Sequence, residues 1–331
     1  MRWALISILF LATIVVADEN SEPAPAPKPK PEAEAERAPK AKSAPEAKPA
    51  PEAKPAPKRY TLRYGMREGA RYIGSNTVAF SLKTTVRTNN KKETSSEESV
   101  ERTERFRDHV KRFSGRGLLE LDREYQRLFT KVRTSERERP DVDQSPLQGS
   151  TVRITEKRRR RSIRSVSGLT IPPFVRKTVG MEIDWRDVLP RESVAIGDAW
   201  EADAESVARR IAPYLDSGSR SIMTIRFEGV DVTDGKRIAR LYIDWEVQGM
   251  RDKQLYTKAI LAGDARFDID MQRFVLIDIA GSFTVNGAII ANGKIEIIQS
   301  EGKVLLKSTL RKERAEAVSA AAAREPSSIK K

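Results

Sequence analysis

The chain has 331 residues, with 61 Lys and Arg against 47 Asp and Glu, one histidine and no cysteine. That composition excludes disulfides, thiolate zinc sites, iron–sulfur clusters and a lipidated N-terminal cysteine, and it leaves His-rich metal sites and most Ser-His-Asp arrangements without parts. The net charge of +14 is uneven, since residues 100–164 carry 19 Lys and Arg against 11 Asp and Glu; in a cytosolic chain such an excess would raise nucleic acid as a partner.

The N-terminus points instead to export. Arg2 precedes the apolar run Trp3 to Val16, and small Ala17 stands before Asp18, the pattern of a signal peptide over residues 1–17. An uncleaved anchor is the competing reading, although the run falls short of the roughly 20 apolar residues that span hydrocarbon. Residues 18–58 are Pro, Ala, Lys and Glu, with Ala-Pro-Glu-Ala-Lys-Pro at 44–49 and again at 50–55. Such a segment has almost nothing to bury and reads as a disordered, semi-rigid spacer.

From Arg59 the pattern turns to strands, and a β-rich globular domain is expected over 59–310, with a disordered or frayed helical tail over 311–331. Tyr60, Leu62, Tyr64 and Met66 alternate with polar residues, as do Val78, Phe80, Leu82, Thr84 and Val86. Ser99 to Thr134 reads as a long hairpin turning at Ser114 to Gly117, and Glu136 to Gln148 as a polar loop. Thr151 to Val166 straddles Lys157, Arg158, Arg159, Arg160 and Arg161. This run is either an anion-binding site or a charged edge that resists aggregation. Short strands about Gly197-Asp198 and a helix from Ala204 follow.

The central hairpin, Ser221 to Val247, is the most informative stretch. A two-residue Asp234-Gly235 turn would set Met223, Ile225 and Phe227 opposite Glu246, Asp244 and Tyr242. A three-residue loop of Thr233, Asp234 and Gly235 instead pairs Met223 with Trp245, Ile225 with Ile243 and Phe227 with Leu241, and that register is expected. Later, Phe274 to Ile277 is apolar on both parities, which predicts a strand covered on both faces. Asn286-Gly287 and Asn292-Gly293 read as punctuation between closing strands that include Ile295, Ile297, Val304 and Leu306.

Little in the chain carries chemistry. His109 sits among charges, and no nucleophile elbow, dinucleotide fingerprint or phosphate loop occurs. Asp268 with Asp270, and Asp244 with Glu246, share strand faces and could serve a hydrolase, but they lie on the polar parity opposite the core. No cofactor or metal is expected. Nucleic acid would rest on charge alone, because most aromatic residues fall on core parity.

Several short motifs in order resemble a family of secreted bacterial proteins, often lipoproteins, known as a domain of unknown function. They are Leu62-Arg63-Tyr64 with Glu68-Gly69, Leu189-Pro190 with Val194-x-Ile196-Gly197-Asp198-x-Trp200, Asp234-Gly235 before an alternating strand, and Gly263-x-Ala265-x-Phe267-Asp268. The resemblance covers roughly residues 60 to 310 and brings no catalytic residues, and the missing lipobox cysteine departs from the lipoprotein members.

The expected architecture is mainly β, a twisted antiparallel sheet or half-barrel with one or two short helices. The expected function is non-catalytic: an envelope protein whose curved sheet holds an apolar ligand or docks a partner, with Met223, Ile225, Phe227, Leu241, Ile243 and Trp245 either lining that face or filling an ordinary core. A basic module binding anionic polymers or lipid head groups through residues 157–161, and a hydrolase using Asp268 or Glu246, are the alternatives.

Overall fold

Period-two alternation governs the chain from Arg71 to Lys312, and it gathers the chain into one large antiparallel sheet. A computed structural model describes residues 57–88, 93–114, 118–135, 137, 139–157, 160–171, 176, 179–211, 219–251, 253–291 and 293–313. The expectations for the signal segment, the spacer and the tail beyond Glu313 lie outside the described residues. The strands are β1 (Arg59–Tyr60), β2 (Arg71–Thr88), β3 (Glu93–Ser114), β4 (Leu118–Thr134), β5 (Asp141–Gln144), β6 (Thr151–Lys157), β7 (Arg160–Ser165), β8 (Val194–Ala195), β9 (Ala199–Ala202), β10 (Arg220–Thr233), β11 (Lys236–Arg251), β12 (Leu255–Asp268), β13 (Arg273–Ala291) and β14 (Lys294–Lys312). One helical turn, α1 (Met181–Asp184), runs into a 3-10 turn over Trp185–Val188, and one short helix, α2 (Glu205–Ile211), follows β9.

Twelve strands form the main sheet in the order β7-β6-β4-β3-β2-β14-β13-β12-β11-β10-β9, with β5 beside β4, while β1 and β8 pair separately. The path ends at β7 and β9 without closing. Both edge strands are short, which limits the unpaired backbone they offer to other chains.

Register makes one face continuous across eight strands. Val132, Val100, Phe80, Val304, Gly281, Leu261, Trp245 and Met223 are successive cross-strand partners from β4 to β10. Side chains of this parity point to what we call the inner face. Along it, a Cβ at Gly263, Gly281 or Gly302 would lie 2.2, 1.9 or 2.1 Å from a carbonyl oxygen of the adjoining strand. So close an approach of the adjoining backbone leaves room only for glycine at these three places on the inner face.

The central hairpin has the expected register, with Met223 opposite Trp245, Ile225 opposite Ile243 and Phe227 opposite Leu241. Its turn is different. Thr233 pairs directly with Lys236, and Asp234 and Gly235 both have positive φ, 54° and 71°, so the loop is the two-residue form with two left-handed residues. The extra residue is absorbed at Glu228, in a bulge between Phe227 and Gly229.

Bulges also account for other breaks in alternation. Val275 is the additional residue opposite the Arg266–Phe267 step, so Phe274 and Ile277 are both buried inward while Val275 and Leu276 are half-buried. The run is apolar on both parities because the parity switches. Gln126 and Lys111 play the same part in β4 and β3, which brings Tyr125 and Leu128 to one face.

Three expectations change. Residues 61–67 form no strand; Gly65 N–H donates to Gln272 O at 2.9 Å, and the segment crosses the sheet end instead of extending the sheet. Asn286-Gly287 lies within β13, where Gly287 admits Gln254 O against its backbone, whereas Gly293 lies in the turn before β14 and residue 292 is outside the described residues. The loop 136–148 contains β5 and a fully buried Leu147. No helix of the described residues is long and apolar enough to cross a membrane.

Candidate functional site: the inner face of the sheet

The six apolar residues expected on a concave face do point inward, and they are core. Met223, Ile225, Phe227 and Ile243 are 0% exposed, Leu241 1% and Trp245 2%. The chain itself covers them. Tyr60, placed by the β1–β8 pairing, meets Phe227 edge-on at 5.5 Å, and Trp185 meets Trp245 at 6.2 Å and Phe274 at 6.1 Å. The end of the 3-10 turn is tied down by Trp200, whose indole N–H donates to Val188 O at 2.9 Å.

The basic run divides by parity. In the β6–β7 hairpin Lys157 pairs with Arg160 and Glu156 with Arg161. Lys157 and Arg160 are exposed, whereas Arg161 turns inward. Its guanidinium donates to Asp184 Oδ1 at 2.6 Å, Glu156 Oε2 at 3.1 Å and Gly180 O at 3.0 Å, and Arg186 reaches the same Glu156 carboxylate. Burial works against both charges. For Arg161, Asp184 and then Glu156 outweigh it and raise the pKa; for Glu156, Arg186 and then Arg161 outweigh it and lower the pKa. Arg161 therefore pins the α1 segment to the sheet and is not available to an outside anion. Arg158 and Arg159 lie outside the described residues.

A second buried pair was not visible in the sequence. Asp108 and Arg123 are both fully buried and doubly bonded at 2.8 Å, and the guanidinium lies 3.6 Å over the Phe106 ring. Nearby, Ser308 donates to Asn76 and Asn76 to Glu104, on adjoining strands of the same face. Around these ions an apolar cluster of Tyr72, Phe106, Val110, Leu121, Tyr125 and Ile154 takes in Val179 and Ile183 from the covering segment.

Toward the other end of the long strands the inner face changes. Phe80, Val86, Val132, Ala259 and Ile289 are only half-buried, beside buried Leu82, Leu255, Val285 and Ile298. Phe80 and Phe283 meet edge-on at 5.9 Å across Gly302. Among these apolar groups, Thr134 Oγ1, Thr257 Oγ1 and Glu296 Oε2 are buried without a hydrogen-bond partner. Glu98, directly opposite Thr134, is pushed up to about 7 by burial. Apolar walls with a few unpaired polar atoms are the composition of a ligand site.

The carboxylates considered for hydrolysis have other engagements. Asp268 accepts from the N–H groups of Asp270 and Met271 at 3.0 and 2.7 Å and so shapes the β12–β13 turn. Asp270 lies in that turn and not on the strand, and it binds Arg237. Glu246 faces Lys258 at 3.2 Å on the outer face, where Asp244 is exposed. His109 is also on the outer parity, 3.1 Å from Lys111. No group of three or more metal-ligating side chains occurs among the described residues. A hollow of about 370 Å³ beside Ser150, Thr151, Val166 and Leu169 lies at the β4–β6–β7 edge and holds no charged side chain.

No family model matches the chain, and no curated protein does. One solved structure, described as lipid–protein interactions in lipovitellin, is similar at a TM-score of 0.38 and 9% identity, over 76% of this chain and 26% of that one. The chain thus spans about a quarter of that structure's length. A likeness at this level fixes neither function nor ligand.

Proposed function

We propose that the protein is a non-catalytic, extracytoplasmic binding protein that holds an apolar ligand against the free half of its inner face. The observation that supports this is a mismatch between sheet and cover. Strands β2, β13 and β14 run for 18, 19 and 19 residues, about 60 Å each at roughly 3.3 Å per residue. The contacts of Tyr60, Tyr64 and Trp185 fall on Phe227, Arg273, Trp245 and Phe274, and Trp245, although level with Phe80 in the register, lies four strands away from it. Away from these contacts Phe80, Val86, Val132 and Ile289 keep part of their surface, and a guest that buried it would gain about 25 cal/mol per Å². The apolar run Trp3 to Val16 behind Arg2 supports export to an envelope.

Native mass spectrometry of the full-length chain from an envelope fraction, followed by organic extraction, tests the reading. A stoichiometric apolar molecule is expected, and it should fall in amount for Phe80→Ala. A bare polypeptide mass from the same fraction contradicts it.

A further inference from the structure

The hairpin of β13 and β14 carries a surface that ligand holding does not use. Val304 and Leu306 point inward, so parity sends Ile295 and Ile297 of the same strand outward. Ile290 is 75% exposed, its direct partner Ile295 49%, and Ile297, paired with Ala288, 46%. Met250 and Tyr256, partners across β11 and β12, are 38% and 39% exposed. Asn286 lies opposite Tyr256 and joins the two groups. Strands β11 and β13 run in the same direction, so both turns project from one end of the sheet. Contiguous exposed apolar groups of this kind mark an interaction surface.

The charges around this patch select its partner. Lys294 follows the β13–β14 turn, Lys253 stands in the β11–β12 turn, and Arg87 lies directly opposite Ile297, with Glu93 at 3.1 Å. Isoleucines at a turn with a basic fringe match a lipid interface, where apolar side chains enter the acyl boundary and Lys or Arg meets phosphate. We propose that this end of the sheet docks on an anionic bilayer surface, Ile290, Ile295 and Ile297 entering the headgroup layer and Lys294 and Arg87 contacting lipid phosphates. Val86 and Ile289, at the free end of the inner face, lie at the same end of the sheet. The proposal does not depend on the inner face being occupied.

The chain has no cysteine, so Ile290→Cys and Ile295→Cys each give a single labelling point for a polarity-sensitive dye in the full-length protein. Val232→Cys, 71% exposed beside the Asp234-Gly235 turn at the opposite end, is the control. Vesicles containing phosphatidylglycerol should shift the emission of the first two to the blue and leave the control unchanged, with a smaller effect from phosphatidylcholine alone. Lys294→Gln should weaken vesicle affinity about fivefold, the equivalent of about 1 kcal/mol per basic residue near an anionic surface. No shift at Ile290→Cys and Ile295→Cys, or an equal shift at Val232→Cys, overturns the proposal. So does a shift without vesicles that grows with protein concentration, which would assign the patch to a second copy of the chain.

Discussion

The inner face has two sides built on different principles. Between β10 and β12 it is apolar across Met223, Ile225, Leu241, Ile243, Leu261 and Ala265, and that part is closed by rings from the covering segments. Between β3 and β7 the same face carries Asp108, Glu104, Arg123, Glu156 and Arg161, all paired with groups from other strands or from α1. The first side is held by burial, which is tolerant and non-directional. The second depends on each ion keeping its partner, and removing one partner leaves an uncompensated buried charge.

The largest expected effect breaks that second side. Asp108→Ala should cost about 3–5 kcal/mol in denaturant unfolding by taking the doubly bonded carboxylate away from buried Arg123. Replacing Asp108 and Arg123 together by Leu and Met should be far milder than the single change. If the double variant is as unstable as Asp108→Ala, the pairing is not what matters. On the apolar side, Trp185→Ala should cost about 3–5 kcal/mol, since it removes the ring that closes over Trp245 and Phe274.

How far the sequence discloses these two sides differs for physical reasons. Alternation from Met223 to Val247 announces a buried face, because the same parity must be apolar on both strands of a hairpin. The turn type is not legible in the sequence, because the spare residue can sit in the loop or in a bulge at Glu228, and the two give the same pairing. Arg161 looked like one of five exposed cations, yet its inward parity follows from the Glu156–Arg161 pairing of the hairpin. Asp184, which completes the site, comes from a helical turn with no signature. Asp108 and Arg123 were hidden among the many charges of residues 100–164. Both sit on core parity, but nothing local says that they face each other. The fold class was therefore legible in the sequence, while the free half of the inner face depends on which segments cross the sheet, and that is a tertiary matter.

A pH series sharpens the comparison through two inward carboxyls of opposite sign. Glu98 is raised by burial to about 7 in the folded chain, above the usual 4.5. Its contribution to stability is fully present at acid pH, declines as pH rises above about 4.5 and is lost past about 7. Glu156, held down by Arg186 and Arg161 against the effect of burial, contributes above the ordinary glutamate range and loses its contribution as pH falls through that range and below. Glu98→Gln should therefore flatten the fall in Tm between about pH 5 and pH 8, and Glu156→Gln should alter the acid limb. If Glu98→Gln leaves the upper limb unchanged, Glu98 does not titrate in the way described.

Smaller effects are expected where the face is half-covered or the side chain is outside. Phe80→Ala should cost about 1 kcal/mol of intrinsic stability, as expected for a half-buried ring, while lowering any bound apolar ligand. Lys157→Ser and Arg160→Ser should stay within about 0.5 kcal/mol of the unchanged protein. A larger loss would give the outward part of the basic run a structural role.

Photo-crosslinking of the full-length chain with a diazirine-bearing fatty acid, mapped by peptide mass spectrometry, separates the covered and free parts of the inner face most directly. Adducts should fall on the strands around Phe80, Val86, Val132 and Ile289 and spare Met223, Ile225, Leu241 and Ile243. Labelling of the latter group, or no labelling of the inner face at all, contradicts the account.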